Sequence, residues 1–500
     1  MTEPFAAVAE THSAVVYFAG NRAFKLKKPV KLPFLDFSTP QDRAAACARE
    51  TELNRRFAPD VYLGVAEVRD PDGEVCDHLV VMRRMPASRR LSALIEAGEP
   101  VDHAVRHVAR ILAGQHAAAA RSAQISRQGS RDATRRRWHD NIGEFSAVAR
   151  DDLVPEAGIG EAGRLADRFL AGRRPLFDAR IRDGRVLDGH GDLLAGDIFC
   201  LDDGPRILDC LDFDDRLRWL DGLDDAAFLA MDLEQRGAPG LAEKFIHWYS
   251  EYSGDPAPAA LRHHYVAYRA VVRAKVSCIR ARQGDGTAAG QARHLLAAAL
   301  RHLRAGAVTL VLVGGPPGTG KSTLAGAIAD RLGFTVLSSD RIRKELAGID
   351  PGRHVTADFG AGIYAASWTE RTYAELIRRA AGLLSLGESV VLDATWTTAR
   401  HRQAAAAAAG RAAADLVQLR CSAPPRVTTG RIAGRTAGVS DATPAIAERL
   451  TADSQPWPGA QIIDTASQPE PADDPTRDPV RLALQVIRPD GPEHVCQAGR

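Results

Sequence analysis

Hydrophobic residues follow two different rhythms along this 500-residue chain, and the change falls near residue 305. Residues 14–28, AVVYFAGNRAFKLKK, are two apolar-rich runs broken at Gly20-Asn21, the pattern of a β-hairpin. A helix over 41–57 starts after Pro40. VYLGVAEV and HLVVMRRMP, joined by a turn at 69–73, read as a second hairpin ending at Pro86. A small antiparallel lobe with one helix is therefore expected over about 1–86. From about 100 to 175, alanines and larger apolar residues recur at three- and four-residue intervals, a helical spacing. Short strands at RVLDG, DIFCL and RILDCLDF follow, and helices resume from about 222 to 304.

Beyond 305 the pattern becomes continuous apolar runs: VTLVLVG (308–314), FTVLSS (334–339), SVVLDA (389–394), DLVQLRC (415–421) and AQIIDT (460–465). Runs of this kind, separated by helical segments, belong to a doubly wound α/β domain whose parallel strands are covered on both faces. The boundaries expected are 1–300 for the first domain (helical part about 87–300) and 305–466 for the second. Residues 467–500 are read as a linker and tail, because SQPEPADDPTRDP is rich in proline and acid.

Composition narrows the functional classes. The chain has 65 basic and 63 acidic residues, so no global charge draws it to nucleic acid or an anionic membrane. The start MTEPFAAVAE lacks a basic n-region, and no apolar run approaches the ~18 residues of a membrane span. Seven scattered cysteines contain no CxxC pair. A cytoplasmic protein acting on a small molecule is the expectation; oligomeric state is not legible. Only eight of the basic residues are lysines, and Lys25, Lys27, Lys28 and Lys31 fall within seven positions. A retained lysine marks a compact point charge that a guanidinium does not replace.

The strongest motif is GGPPGTGKST. Gly315, Pro316, Pro317, Gly318, Thr319, Gly320, Lys321 and Ser322 satisfy GxxxxGK[ST], with Thr323 following, and a buried strand precedes the helix TLAGAIADRL. Glycines let backbone N–H groups approach phosphate oxygens, Lys321 reaches the terminal phosphates, and Ser322 offers a hydroxyl to Mg²⁺. Asp340 ends the next strand, with Arg343 three residues on. That carboxylate is placed to take a proton from an acceptor hydroxyl while the arginine holds an anionic group of the acceptor. Asp393, in VVLDAT, is the natural second carboxylate at Mg²⁺. Arg431 and Arg435 lie one helical turn apart, placed to close over the transferring phosphate. Residues 308–466 resemble the small P-loop kinases, among them gluconate kinase, adenylylsulfate kinase and polynucleotide 5′-kinase, whose D-x-x-R segment SSDRIR mirrors.

A two-lobed kinase needs a lysine for the phosphates, a glutamate to hold it, a base and metal ligands. In HGDLLAGD, Asp192 stands at the base position and Asp197 at the metal-ligand position normally occupied by asparagine. Asp212, opening DFDD, is taken as the second metal ligand. Glu50 lies on the helix after the first hairpin, where it pairs with Lys25; Lys27 points to the same strand face, and alternation does not separate the two. Three acids converging without metal repel, so this site is expected to depend tightly on Mg²⁺. The tract Asp221, Asp224, Asp225 reads as structural, and His116 as a packed helix histidine.

Residues 14–280 resemble the aminoglycoside phosphotransferase-like kinases, with HGD for the HRD of protein kinases and VVMRRMP at the interlobe hinge. The two halves together resemble bacterial proteins in which such a domain is fused to a predicted P-loop kinase. The resemblance implies a protein-kinase-like α+β two-lobed domain followed by an α/β P-loop kinase. It also implies ATP and Mg²⁺ at both, and small-molecule hydroxyl acceptors. Two other functions fit the residues: a P-loop kinase regulated by a ligand-sensing pseudokinase domain, and a polynucleotide 5′-hydroxyl kinase, against which the balanced charge weighs.

Overall fold

In a computed structural model of the protein, the described residues are 4–10, 13–32, 35–149, 153–350, 353, 362–434, 443–466 and 478–488. The chain divides into two compact units. The first comprises 1–163, 177–257 and 262–302, and the second 164–176, 258–261 and 303–500. Among the described residues, no helix is long and apolar enough to cross a membrane.

The first unit begins with a five-stranded antiparallel sheet. Its strands are β1 (Ala6–Glu10), β2 (Ala14–Ala19), β3 (Arg22–Lys27), β4 (Tyr62–Arg69) and β5 (Val75–Arg83), in the order β1-β2-β3-β5-β4. The two expected hairpins are there, and β1 adds an edge strand that alternation had not singled out. β3 lies at the centre, with Lys25 opposite Val16 on one side and Val80 on the other, so its backbone is fixed from both flanks. Helix α1 (Pro40–Asn54) crosses the sheet. Thr39 caps it by accepting from Asp42 N (3.1 Å), and Pro40 occupies the first turn, where no donor is needed. Cys47 anchors α1 in a core with Ala58, Val61, Tyr62, Val80, Phe199 and Leu208.

The helical part includes α2 (Asp102–Ala118) and α3 (Gly222–Gln235), of which residues 222–233 are all buried. Two small antiparallel ribbons lie between them in sequence. β6 (Val186–Asp188) pairs with β9 (Trp219–Asp221), and β7 (Ile198–Leu201) pairs with β8 (Gly204–Ile207). They bracket the two loops that carry the acids, 189–197 and 208–218. This is the protein-kinase arrangement of a small β lobe and a larger helical lobe.

The second unit is a parallel sheet of β10 (Thr309–Gly314), β11 (Thr335–Ser338), β12 (Val390–Asp393), β13 (Asp415–Ser422) and β14 (Gln461–Asp464). Their order is β11-β12-β10-β13-β14. All six residues of β10 are buried, as its unbroken apolar run requires of a strand covered on both faces. Helix α4 (Lys321–Leu332) follows β10, α5 (Ser339–Leu346) follows β11, and α6 (Ala366–Ser385) and α7 (Ala399–Arg411) flank β12. Part of the expected tail is not loose: α8 (Pro425–Ala433) is followed, beyond β14, by α9 (Pro479–Ile487). Asp478 caps α9 by accepting from Val480 N (2.9 Å), and Ala483 and Ile487 enter the core with Leu324, Ile328 and Leu419. The neighbouring acidic, proline-rich stretch had hidden a short amphipathic helix.

Two candidate phosphoryl-transfer sites

In the first unit Glu50 holds both candidate lysines. Its Oε1 lies 2.8 Å from Lys25 Nζ and its Oε2 lies 2.7 Å from Lys27 Nζ. Each lysine then reaches a different aspartate, Lys25 to Asp209 (3.0 Å) and Lys27 to Asp212 (2.7 Å). Burial works against the charge on Lys25, but Asp209 and Glu50 outweigh it and raise its pKa well above the ordinary value. Lys27 is the deeper of the two, 4% exposed against 18% for Lys25. Lys25, expected at this position from its place in the pattern, is thus the more accessible of two amines that Glu50 holds.

Asp209, not Asp212, joins Asp192 and Asp197. Asp197 is pushed up to about 8 by burial and then by the charges of Asp209 and Asp192; Asp192 is pushed up to about 6, chiefly by burial. Asp209 itself is held below the usual carboxylate range by Lys25. The backbone explains the exchange of roles. Asp209 adopts a left-handed φ of 63°, a strained conformation for a non-glycine residue. Its N–H donates to Tyr62 Oη (3.2 Å), Cys210 N donates to Asn54 Oδ1 (2.8 Å), and Leu211 N donates to His190 O (3.1 Å). Three consecutive anchors turn Asp209 toward the site and leave Asp212 with Lys27.

The acids are less tightly gathered than expected. Among the described residues, no three His, Cys, Asp or Glu side chains are close enough to hold a metal by themselves. That corrects the picture of three converging carboxylates. Asp197 and Asp209 still fit a kinase Mg²⁺, which takes one or two carboxylates and completes its shell with phosphate and water. The repulsion that raises the Asp197 pKa is what a cation would relieve. At neutral pH without metal, Asp197 presents a neutral carboxyl and so resembles the asparagine it replaces. A proton must therefore leave Asp197 as metal arrives. Apparent Mg²⁺ affinity of this site should strengthen roughly twentyfold between pH 6.5 and 8.5 in the parent protein, as the Asp197 carboxyl titrates near 8, and stay flat in Asp197→Asn. Mg²⁺ titrations of ADP release at both pH values, with the second site silenced, check this.

Residues that the sequence reading filed as structural turn out to carry the catalytic loop. Asp221 caps α3 as expected, accepting from Leu223 N (2.9 Å). Asp225 instead accepts from His190 N (2.6 Å) and Gly191 N (2.9 Å), and its Oδ2 lies 3.0 Å from His116 Nε2. Burial opposes the charge on Asp225, yet His116 and His190 hold its carboxylate below the usual range. Arg56 grips the same loop through Asp188 O (3.2 Å) and Gly189 O (2.9 Å). Only position in the fold reveals these roles, since a buried histidine and an acidic helix start have many commoner uses.

In the second unit, the loop from Gly315 to Gly320 needs glycine for its backbone conformation and for its close packing against neighbouring segments of the chain. Gly315, Gly318 and Gly320 have φ of 130°, 82° and 80°. A Cβ would meet Cys421 O at 2.6 Å from Gly315 and Thr428 O at 2.7 Å from Gly318. Thr319 Oγ1 donates to Pro316 O (2.7 Å), and Lys321 Nζ donates to the same carbonyl (3.1 Å). Pro317 is buried beside them, while Ser322 and Thr323 open α4 at the surface. Ser322 Oγ donates to Asp393 Oδ2 (2.7 Å), so the expected hydroxyl and carboxylate of an Mg²⁺ position meet. Burial raises the pKa of Asp393, and Lys321 and Ser322 offset part of that rise.

Asp340 stands in the first turn of α5 with no hydrogen bond among the described residues, and its charge bears on Asp393 and Tyr373. The charge of Arg343 bears on the same Tyr373, and its Nε is buried with no hydrogen-bond partner among the described residues. Its Nη1 donates to Ile363 O (2.8 Å) and Thr369 Oγ1 (3.2 Å), and its guanidinium lies over the Tyr364 ring. Arg431 does approach the loop: Nη2 donates to Thr465 O (2.7 Å), and a Cβ on Gly320 would lie 3.5 Å from Nη1. Arg435 lies outside the described residues.

A family model described as an AAA domain matches residues 310–455. The "Uncharacterized protein Rv2004c" of Mycobacterium tuberculosis is 46% identical over 470 residues, covering 94% of each chain. The chain belongs to the family of that protein. Among solved structures, a choline kinase from Cryptosporidium parvum covers 60% of this chain and 90% of its own, at 9% identity and a TM-score of 0.39. A gluconokinase from Sinorhizobium meliloti covers 36% of this chain and 91% of its own, at 20% identity and a TM-score of 0.25. This chain joins a protein-kinase-like unit and a P-loop unit.

Proposed function

We propose that the protein is a bifunctional ATP-dependent phosphotransferase, each unit moving the γ-phosphoryl group of ATP to a hydroxyl of a small molecule. The observation that carries the reading for the first unit is the Lys25–Glu50 pair at 2.8 Å, with Asp209 on the same amine. A glutamate from the helix holding the strand lysine is the arrangement by which a two-lobed kinase fixes the amine that orients the phosphates. For the second unit, the GxxxxGK[ST] loop between β10 and α4 and the Ser322–Asp393 contact support the same chemistry.

In each reaction the acceptor oxygen forms a bond to phosphorus as the bond from phosphorus to the ADP oxygen breaks. The hydroxyl proton passes to Asp192 in the first unit and to Asp340 in the second. Lys25 and Lys321 orient the phosphates, and Arg431 adds positive charge near the P-loop. Asp197 and Asp209, and separately Ser322 and Asp393, would hold Mg²⁺, which when bound neutralises charge on the phosphates.

ADP release from the full chain, screened against small hydroxyl compounds, tests the proposal. Asp192→Ala and Lys321→Ala should each remove a different subset of accepted compounds, and the double variant all of them. If Asp192→Ala changes no turnover while ligands still bind the first unit, that unit is a sensor and the bifunctional reading fails. Labelling of a 5′-hydroxyl oligonucleotide would overturn the small-molecule assignment. The first activity should also fall as pH drops through about 6, because the base Asp192 then takes up a proton. A pH–rate profile in the Lys321→Ala background measures this.

A further inference from the structure

Among the described residues, two guanidinium groups in the second unit stand together without a countercharge. A cavity of about 10 Å³ beside the P-loop is lined by Gly315, Pro316, Trp396, Arg402, Arg420 and Trp457, among others. Arg402 is buried. Its Nη1 donates to Trp396 O (2.6 Å), its Nη2 donates to Pro456 O (2.7 Å), and its guanidinium lies over the Trp457 ring at 5.2 Å. Arg420 makes no hydrogen bond among the described residues, and neither arginine has an ion pair there with a carboxylate. Burial lowers the Arg402 pKa, and the charge of Arg420 lowers it further.

Like charges held side by side against tryptophan faces are unfavourable unless an anion joins them. The fold does not place them together by accident of a loose surface. Arg420 projects from β13 opposite Gly314 in the register, and Arg402 projects from α7. Trp396, between them and the P-loop, keeps a left-handed φ of 54° although it is almost wholly buried, the kind of strain that persists at ligand sites. Pro316, on the cavity wall, is the residue whose carbonyl receives Lys321. Thr395, also on the wall, shares its hydroxyl with Tyr373 (3.1 Å), on which the charge of Asp340 bears. The cavity therefore adjoins the region where phosphate and acceptor hydroxyl would meet. Its volume suits the tip of an anionic group rather than a whole molecule.

We propose that Arg420 and Arg402 bind the anionic group, a carboxylate or a phosphate ester, of the hydroxyl compound phosphorylated by the P-loop unit. This rests on the reading of that unit as a small-molecule kinase, and it adds these two residues to Arg343, for which spacing had suggested such a role. Arg420 is the group to alter, because Arg402 also braces the backbone at Trp396 and Pro456.

The test uses the full chain carrying Asp192→Ala, with ADP and Mg²⁺ saturating the P-loop. Inorganic sulfate should raise the thermal midpoint of this protein by several degrees, and Arg420→Gln should abolish most of that rise. Arg420→Glu, which supplies the missing carboxylate to Arg402, should be at least as stable as its parent without sulfate and insensitive to it. In turnover, aldonates and sugar phosphates are compared with the matching neutral polyols and sugars. Arg420→Gln should raise KM for the anionic compounds about tenfold or more, the loss of a charge-assisted hydrogen bond, and leave the neutral ones alone. The aldonate and phosphate arms distinguish the two sources of charge.

Equal protection by sulfate in parent and Arg420→Gln would overturn the inference, as would turnover of neutral compounds alone with Arg420→Gln unaffected, while leaving the kinase reading intact. Sulfate protection lost in Arg420→Gln with no ADP release from any compound would instead keep the anion site and reject the kinase reading.

Discussion

Lys321→Ala should lower ATP turnover by the P-loop unit by about a hundredfold to a thousandfold, the range for removing one charged group from a phosphoryl-transfer site. The Lys321 amine donates to Pro316 O at 3.1 Å, within the loop between β10 and α4. Its loss acts twice. The terminal phosphates lose their nearest compact cation, and Asp393 loses the charge that counters its burial. With that offset gone, the Asp393 pKa rises further, so protons compete better for the Mg²⁺ position that it forms with Ser322. Lys321→Arg should not rescue, because a planar guanidinium does not fit where a point charge is cradled. ADP release in the Asp192→Ala background measures the effect, and unchanged thermal stability shows that the fold is intact. Retention of more than a tenth of the activity would remove Lys321 from the chemistry.

The second large effect separates two aspartates three residues apart. Asp209→Asn should lower turnover by the first unit about a hundredfold or more, whereas Asp212→Asn should cost only several-fold. Asp209 faces Lys25, and its charge bears on Asp197, so its replacement disturbs both phosphate and metal positions. Asp212 acts through Lys27, which is buried and shares Glu50 with Lys25. Removing its charge weakens one bridge to Glu50's second lysine and leaves the catalytic amine paired. Measurement in the Lys321→Ala background isolates the first unit. If Asp212→Asn proves the more damaging change, the assignment by sequence spacing was right and the metal ligand is Asp212.

How much of each site is legible in the sequence differs for a physical reason. The P-loop is continuous in the chain: Gly315 to Ser322 lie between a buried strand and a helix, and local backbone demands alone place the glycines. The first site is assembled from β3, α1 and two loops separated by well over a hundred residues. There the motif HGDLLAGD placed Asp192 and Asp197, but the run LDCLDFDD offered several acids at nearly equal spacing. Nothing in its local pattern announces that Asp209 takes a left-handed φ, because Tyr62, Asn54 and His190, which anchor it and the two residues after it, come from elsewhere in the chain. The pairing of Glu50 was legible, though its hold on both lysines was not. Strand alternation puts Lys25 and Lys27 on one face, and only the depth of each amine separates them.

By itself, then, the sequence determined the two architectures, the phosphate loop, the paired Lys25 and Glu50 and the catalytic loop. These follow from apolar periodicity and from motifs whose chemistry lies within a few residues. Tertiary structure alone decided which aspartate faces Lys25, that Asp225 and Arg56 hold the segment 188–191, and that Arg402 and Arg420 meet. Those outcomes depend on which charges burial brings together, and in a chain with 65 basic and 63 acidic residues almost any pairing is open until the fold chooses.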